Sequence, residues 1–62
     1  MQTFEEFMVA WSNAHHNTKK IRLCTNSTVF ATDYVKSKMY IEFMLHDQGT
    51  ALVHLNDIKE IV

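Results

Sequence analysis

The sequence predicts an α+β fold, with an N-terminal helix followed by about five short antiparallel strands forming a small curled sheet or barrel. Three observations carry this reading. An apolar stripe at helical spacing occupies the beginning of the chain. From Lys19 onward the apolar residues recur at every second position instead. The segments between these runs are too short for parallel crossovers, which need roughly a dozen residues or more.

The helix is expected over residues 3 to about 14. Thr3 with Glu6 forms a capping box, and Glu5 and Glu6 place negative charge at the positive end of the helix dipole. Phe4, Phe7, Met8 and Trp11 follow the i, i+3, i+4, i+7 spacing and form one stripe. His15 and His16 fall near the end of the helix, with Asn13 and Asn17 suited to the exit.

Strands are expected over about 19–24, 29–35, 39–46, 50–55 and 58–62. Lys20 and Arg22 alternate with Ile21 and Leu23, the pattern of a strand with one buried face. The next strand is rich in β-branched and aromatic residues, but two readings of it compete. Val29, Ala31, Asp33 and Val35 share one face, and Phe30, Thr32 and Tyr34 share an equally apolar one. In the third strand Met39, Ile41, Phe43 and Leu45 share a face. The chain has no proline and one glycine, Gly49, so most turns fall to Asn, Asp, Ser and Thr. Asp47-Gln48-Gly49 is expected as a three-residue hairpin loop with Gly49 in the left-handed conformation. That register sets Phe43 against Val53, Met44 against Leu52, and Glu42 against His54 as a weak surface pair. Asn56-Asp57 makes the last short turn.

Size and composition narrow the function classes. Hydrophobic residues make up 47% and charged residues 21%, which is the balance of a folded chain. A chain of 62 residues forms one domain of marginal stability and ordinarily needs a staple. The single cysteine, Cys24, excludes an intramolecular disulfide, which leaves association with other copies as the expected staple. The net charge of −1 gives no global pull toward nucleic acid or anionic membrane. The first residues lack a basic region followed by an apolar run, and no apolar stretch approaches the roughly 20 residues of a membrane span. With its free thiol the chain is expected to be cytoplasmic, a description that includes a protein made by a phage.

The closing stretch Ala51-Leu52-Val53-His54-Leu55-Asn56-Asp57-Ile58-Lys59-Glu60-Ile61-Val62 resembles the end of many Sm-like chains, in which a strand, one short turn and a final strand follow each other. The helix-then-five-strands order is similar to the same family. The resemblance implies a small bent barrel that assembles through strand edges. The glycines and asparagine that build the family's uridine site have no counterpart here, so no RNA-binding residue is carried over.

No catalytic motif is present, and no enzymatic activity or cofactor is expected. His15-His16 and the hairpin residues His46 and His54 lack metal-ligand spacing and are expected as exposed histidines. Cys24 beside Leu23 is expected as a small buried apolar group rather than a nucleophile. Two surfaces remain. Met44, Leu52 and Tyr40 face away from the Ile41, Phe43, Leu45 side, and one short helix cannot cover both sheet faces. A partner interface is therefore expected at Tyr40, Met44 and Leu52, with Trp11 from the helix. The alternative surface is basic: Lys19, Lys20 and Arg22 follow the two histidines, Lys36 and Lys38 lie in a turn, and Tyr34 and Tyr40 offer stacking faces for a single-stranded nucleic acid. The reading is thus a homo-oligomeric binding module, acting as an accessory or inhibitory protein on a larger protein. An Sm-like nucleic-acid binder is the first alternative, and an oligomer holding a small ligand between subunits is the second.

Overall fold

A computed structural model describes the whole chain, residues 1–62. Helix α1 spans Phe4–Asn13, and strands β1 (Lys19–Leu23), β2 (Thr28–Ser37), β3 (Tyr40–Leu45), β4 (Thr50–His54) and β5 (Ile58–Ile61) follow it. One turn of 3-10 helix, Leu55–Asp57, joins β4 to β5. All neighbouring strands are antiparallel, in the order β4-β3-β2-β1-β5.

The helix starts as its sequence dictates. The Thr3 hydroxyl accepts the Glu6 N–H at 3.1 Å and donates to the Glu6 carboxylate at 3.3 Å. It ends at Asn13, close to the expected end. Ala14 turns into an extended conformation, is buried, and donates its N–H to the Ala10 and Trp11 carbonyls. His15 and His16 lie just beyond the helix.

Phe4, Phe7 and Trp11 lay the helix on one face of the sheet. Phe7 has no exposed surface. Its ring meets Phe4, Trp11, Tyr34 and Phe43 at centroid distances of 4.7 to 5.9 Å. Ile21, Ala31, Ile41, Val53, Leu55 and Ile58 complete the core beneath it.

The competing faces of β2 are both used. A bulge at Thr32 separates two half-strands, since Ala31 pairs with Leu45 but Asp33 with Met44. Ala31 points into the core before the bulge, and Tyr34 reaches Phe7 and Trp11 after it. One extra residue flips the alternation, which sends Phe30 and Val35 to the opposite face.

The β3–β4 hairpin has the expected loop length but sits one residue earlier. Leu45 N–H bonds the Gly49 carbonyl and Gln48 N–H bonds the Leu45 carbonyl, so the loop is His46-Asp47-Gln48. The left-handed residue is Gln48 (φ 74°), not Gly49. Asp47 sets this position by accepting the Gly49 N–H at 3.1 Å, and a Cβ on residue 49 would lie only 3.2 Å from that carboxylate oxygen. The pairing slides by two residues, which preserves every side chain's face while changing its partner. Phe43 meets the small Ala51, Glu42 meets Leu52, and His54 meets Tyr40. The expected Glu42–His54 and Met44–Leu52 pairs are not formed directly across the ladder. The β1–β2 loop Cys24-Thr25-Asn26 repeats the same bonding, with Asn26 left-handed (φ 70°). Cys24 thus opens a loop and is exposed, contrary to its expected burial.

The sheet is open, because β4 and β5 are its two edges and do not pair. It is nevertheless bent enough for the three residues Leu55–Asp57 to carry the chain from one edge to the other. That turn is held on both sides: Leu55 N–H bonds the Met39 carbonyl, and Cys24 N–H bonds the Asp57 carbonyl.

Two stability predictions follow from these contacts. Phe7→Ala should remove about 3–5 kcal/mol, comparable with the whole stability of so small a chain, and leave the protein largely unfolded by circular dichroism. Gln48→Gly should raise stability by up to about 1 kcal/mol in urea unfolding, because glycine takes the left-handed conformation without the Cβ penalty.

Candidate interaction surface

The helix covers one face of the sheet and nothing covers the other. On that outer face stand Lys20 and Arg22 from β1, Phe30, Asp33 and Val35 from β2, Tyr40, Glu42 and Met44 from β3, and Thr50, Leu52 and His54 from β4. Its apolar side chains gather toward β4. Leu52 is 66% exposed, Val35 53%, and Tyr40 and Phe30 44% each. Val35, Glu42 and Leu52 lie in one row across three strands, with Met44 and Tyr40 on either side of Glu42 along β3.

Glu42 is half-buried in this row and has no ion pair within the chain. His54 stacks edge-on with Tyr40 at 5.1 Å, and its Nδ1 accepts the Asn56 N–H at 3.1 Å. That bond assigns the neutral ring's proton to Nε2. The patch is therefore apolar, with the Glu42 carboxylate and one imidazole donor set into it and Asp33 beside Met44 at its margin.

Tyr40, Met44 and Leu52 are brought together as expected. Trp11 is not among them. It lies on the helix side, half-buried against Phe7, Tyr34 and Phe43. Each of the two competing readings of β2 puts only one of Val35 and Phe30 on the outer face; both lie there, because the alternation reads correctly on each side of Thr32 but not through it. The available signal was the spacing of three between Ala31 and Tyr34, where an unbroken strand allows only even spacings.

The basic residues are dispersed. Lys19 points to the helix side, where its Nζ lies 4.8 Å from the Trp11 ring centroid and donates to the His16 carbonyl at 2.9 Å. Lys36 lies over Phe4 at 5.1 Å, near the other end of the helix. Arg22 is on the outer face, paired with Glu60 across the β1–β5 ladder at 3.0 Å. Lys20 is outward beside Phe30, and Lys38 sits in the β2–β3 turn with φ 54°.

No polar or charged residue is buried, and no three His, Cys, Asp or Glu side chains stand close enough to hold a metal ion. The hollows are shallow. One of about 420 Å³ lies between the end of the helix and β5, beside Asn13, His15, His16 and Val62. No helix is long and apolar enough to cross a membrane.

Comparison with protein-family models, with curated proteins and with solved structures finds no match to this chain. What the fold defines is a small α+β protein built on an open five-stranded antiparallel sheet with one covered face. The Sm-like order read from the sequence has no support in these comparisons.

Lys19 and Arg22 have measurable structural roles. Lys19→Met should cost about 0.5–1 kcal/mol and alter the fluorescence of Trp11, the single tryptophan. Glu60→Gln should cost less than about 1 kcal/mol, because the Arg22–Glu60 pair is half-exposed.

Proposed function

We propose that the chain is a non-enzymatic binding module that assembles with copies of itself and docks its outer sheet face on a larger protein, in an accessory or inhibitory role. The observation that supports this reading most directly is the apolar patch of Val35, Tyr40, Met44 and Leu52 on a face that nothing covers. Tyrosine and methionine are enriched at protein interfaces, and contiguous exposed apolar residues mark partner surfaces. The patch surrounds the Glu42 carboxylate, which has no ion pair within the chain and offers a partner's cation a point of specificity.

The test uses immobilised protein and extract of the cells it comes from, with Val35→Asp and Met44→Asp as the altered forms. Both positions point away from the core, so the variants should keep the parent circular dichroism spectrum. A protein retained by the parent chain should bind each variant at least tenfold more weakly, as expected where buried anchors dominate an interface. Unchanged retention would refute the docking face. Retention of nucleic acid instead, lost with added salt and on Lys20→Ala or Lys38→Ala, would replace it with the nucleic-acid reading.

A further inference from the structure

The two edges of the sheet are treated differently by the chain. β5 is sheltered. It is short, its pairing with β1 is irregular at Leu23, and it carries Lys59 and Glu60. The end of α1 packs beside it, and the Met1 amino group donates to the Ile58 carbonyl. These are the devices that keep an edge from pairing with another chain. β4, at five residues hardly longer, has none of the others. Its sequence Thr50-Ala51-Leu52-Val53-His54 contains no Lys, Arg, Asp, Glu or Pro, and its ladder to β3 is unbroken.

The hydrogen bonding shows which groups β4 leaves free. Leu45 bonds Gly49, and Leu55 bonds Met39, at the two ends of the β3–β4 ladder. Antiparallel pairs alternate between bonded and non-bonded. Phe43–Ala51 and Ile41–Val53 are thus the bonded pairs, and Thr50, Leu52 and His54 turn their N–H and C=O groups outward. The same three residues carry their side chains on the outer face.

We infer that β4 is the self-association edge, pairing antiparallel with β4 of a second copy about a two-fold axis at Leu52. Leu52 then faces the partner's Leu52, and Thr50 faces the partner's His54 at each end. All the outward backbone groups of these residues find partners, and no charge meets a like charge. Two half-patches join into one apolar face on a ten-stranded sheet, a count that doubles the five strands of one copy. The occupant is a second copy because the edge is complementary to itself in length, polarity and side-chain pairing. The inference rests on the proposed reading of the chain as an assembled binding module and names how the assembly forms.

The test is native mass spectrometry and sedimentation of the whole chain at tens of micromolar, with variants that separate edge from face. The parent chain should be a dimer. Thr50→Pro removes one outward N–H without touching the bonds to β3, and Leu52→Lys sets two ammonium groups opposite each other. Each should shift the dimer to monomer with at least a tenfold weaker dissociation constant. In a Cys24→Ser background, Leu52→Cys should form an intermolecular disulfide under mild oxidation, while Thr50→Cys should not. A parent chain that stays monomeric overturns the inference, as does a dimer that survives both edge variants. A dimer lost with Met44→Asp or Val35→Asp but kept with Thr50→Pro also overturns it, while leaving the docking face standing. A dimer lost with Thr50→Pro and kept with Val35→Asp supports the edge whether or not the face binds another protein.

Discussion

Phe7 enters the sheet from the helix with no surface left to water, and four other aromatic rings close around it. The rest of the molecule is arranged to make that possible. Tyr34 has to reach it from β2, which requires the bulge at Thr32. Phe43 has to reach it from β3, and the hairpin register places the small Ala51 beside Phe43. Trp11 closes the far side and is itself covered by the Lys19 ammonium. In a chain this short, a single aromatic anchor accounts for a large share of the burial that offsets chain entropy.

The same arrangement commits the helix entirely to one face. Three turns of helix laid over Phe7 leave none for the other side. The outer face then divides by charge. Toward β1 and β5 it carries Lys20, Arg22 and Glu60, and toward β3 and β4 it carries Tyr40, Met44 and Leu52 with Glu42 among them. None of the six Lys and Arg residues lies in β3 or β4. The basic run that reads as continuous from Lys19 to Arg22 is divided by the pleat, because adjacent strand residues point to opposite faces.

Element types and their order were legible in the sequence because each rests on a local period: 3.6 in the helix, and two in the strands. So was the outward placement of Tyr40, Met44 and Leu52, since parity along β3 and β4 survives a register slide of two. What was not legible depends on single residues acting at a distance. The Thr32 bulge changes parity within one strand and is invisible to any uniform alternation. The loop position is set by the Asp47 carboxylate on the Gly49 N–H, which overrides the preference for glycine in the left-handed site. Trp11 reads as a member of an amphipathic stripe, and nothing in the stripe tells whether its last ring is buried or offered to a partner.

Closure is the remaining question of form, and the 3-10 turn answers it. Leu55–Asp57 bridges from β4 to β5 while tied to Met39 on one side and Cys24 on the other. The edges are thus joined at one corner by the chain itself and left unpaired along their length. A closed barrel would satisfy both edges internally and leave no strand to offer. An open sheet must protect each edge separately, and this chain protects only one. β5 benefits from its position between β1 and the helix, so its shelter costs no extra residues. β4 would need its own lysine, proline or bulge, and the sequence supplies none. The same residues of β4 that leave their backbone groups free also carry the most exposed apolar side chain of the outer face, Leu52. Edge and face are therefore not independent surfaces: any strand added at β4 extends the apolar face by the same step that satisfies the edge.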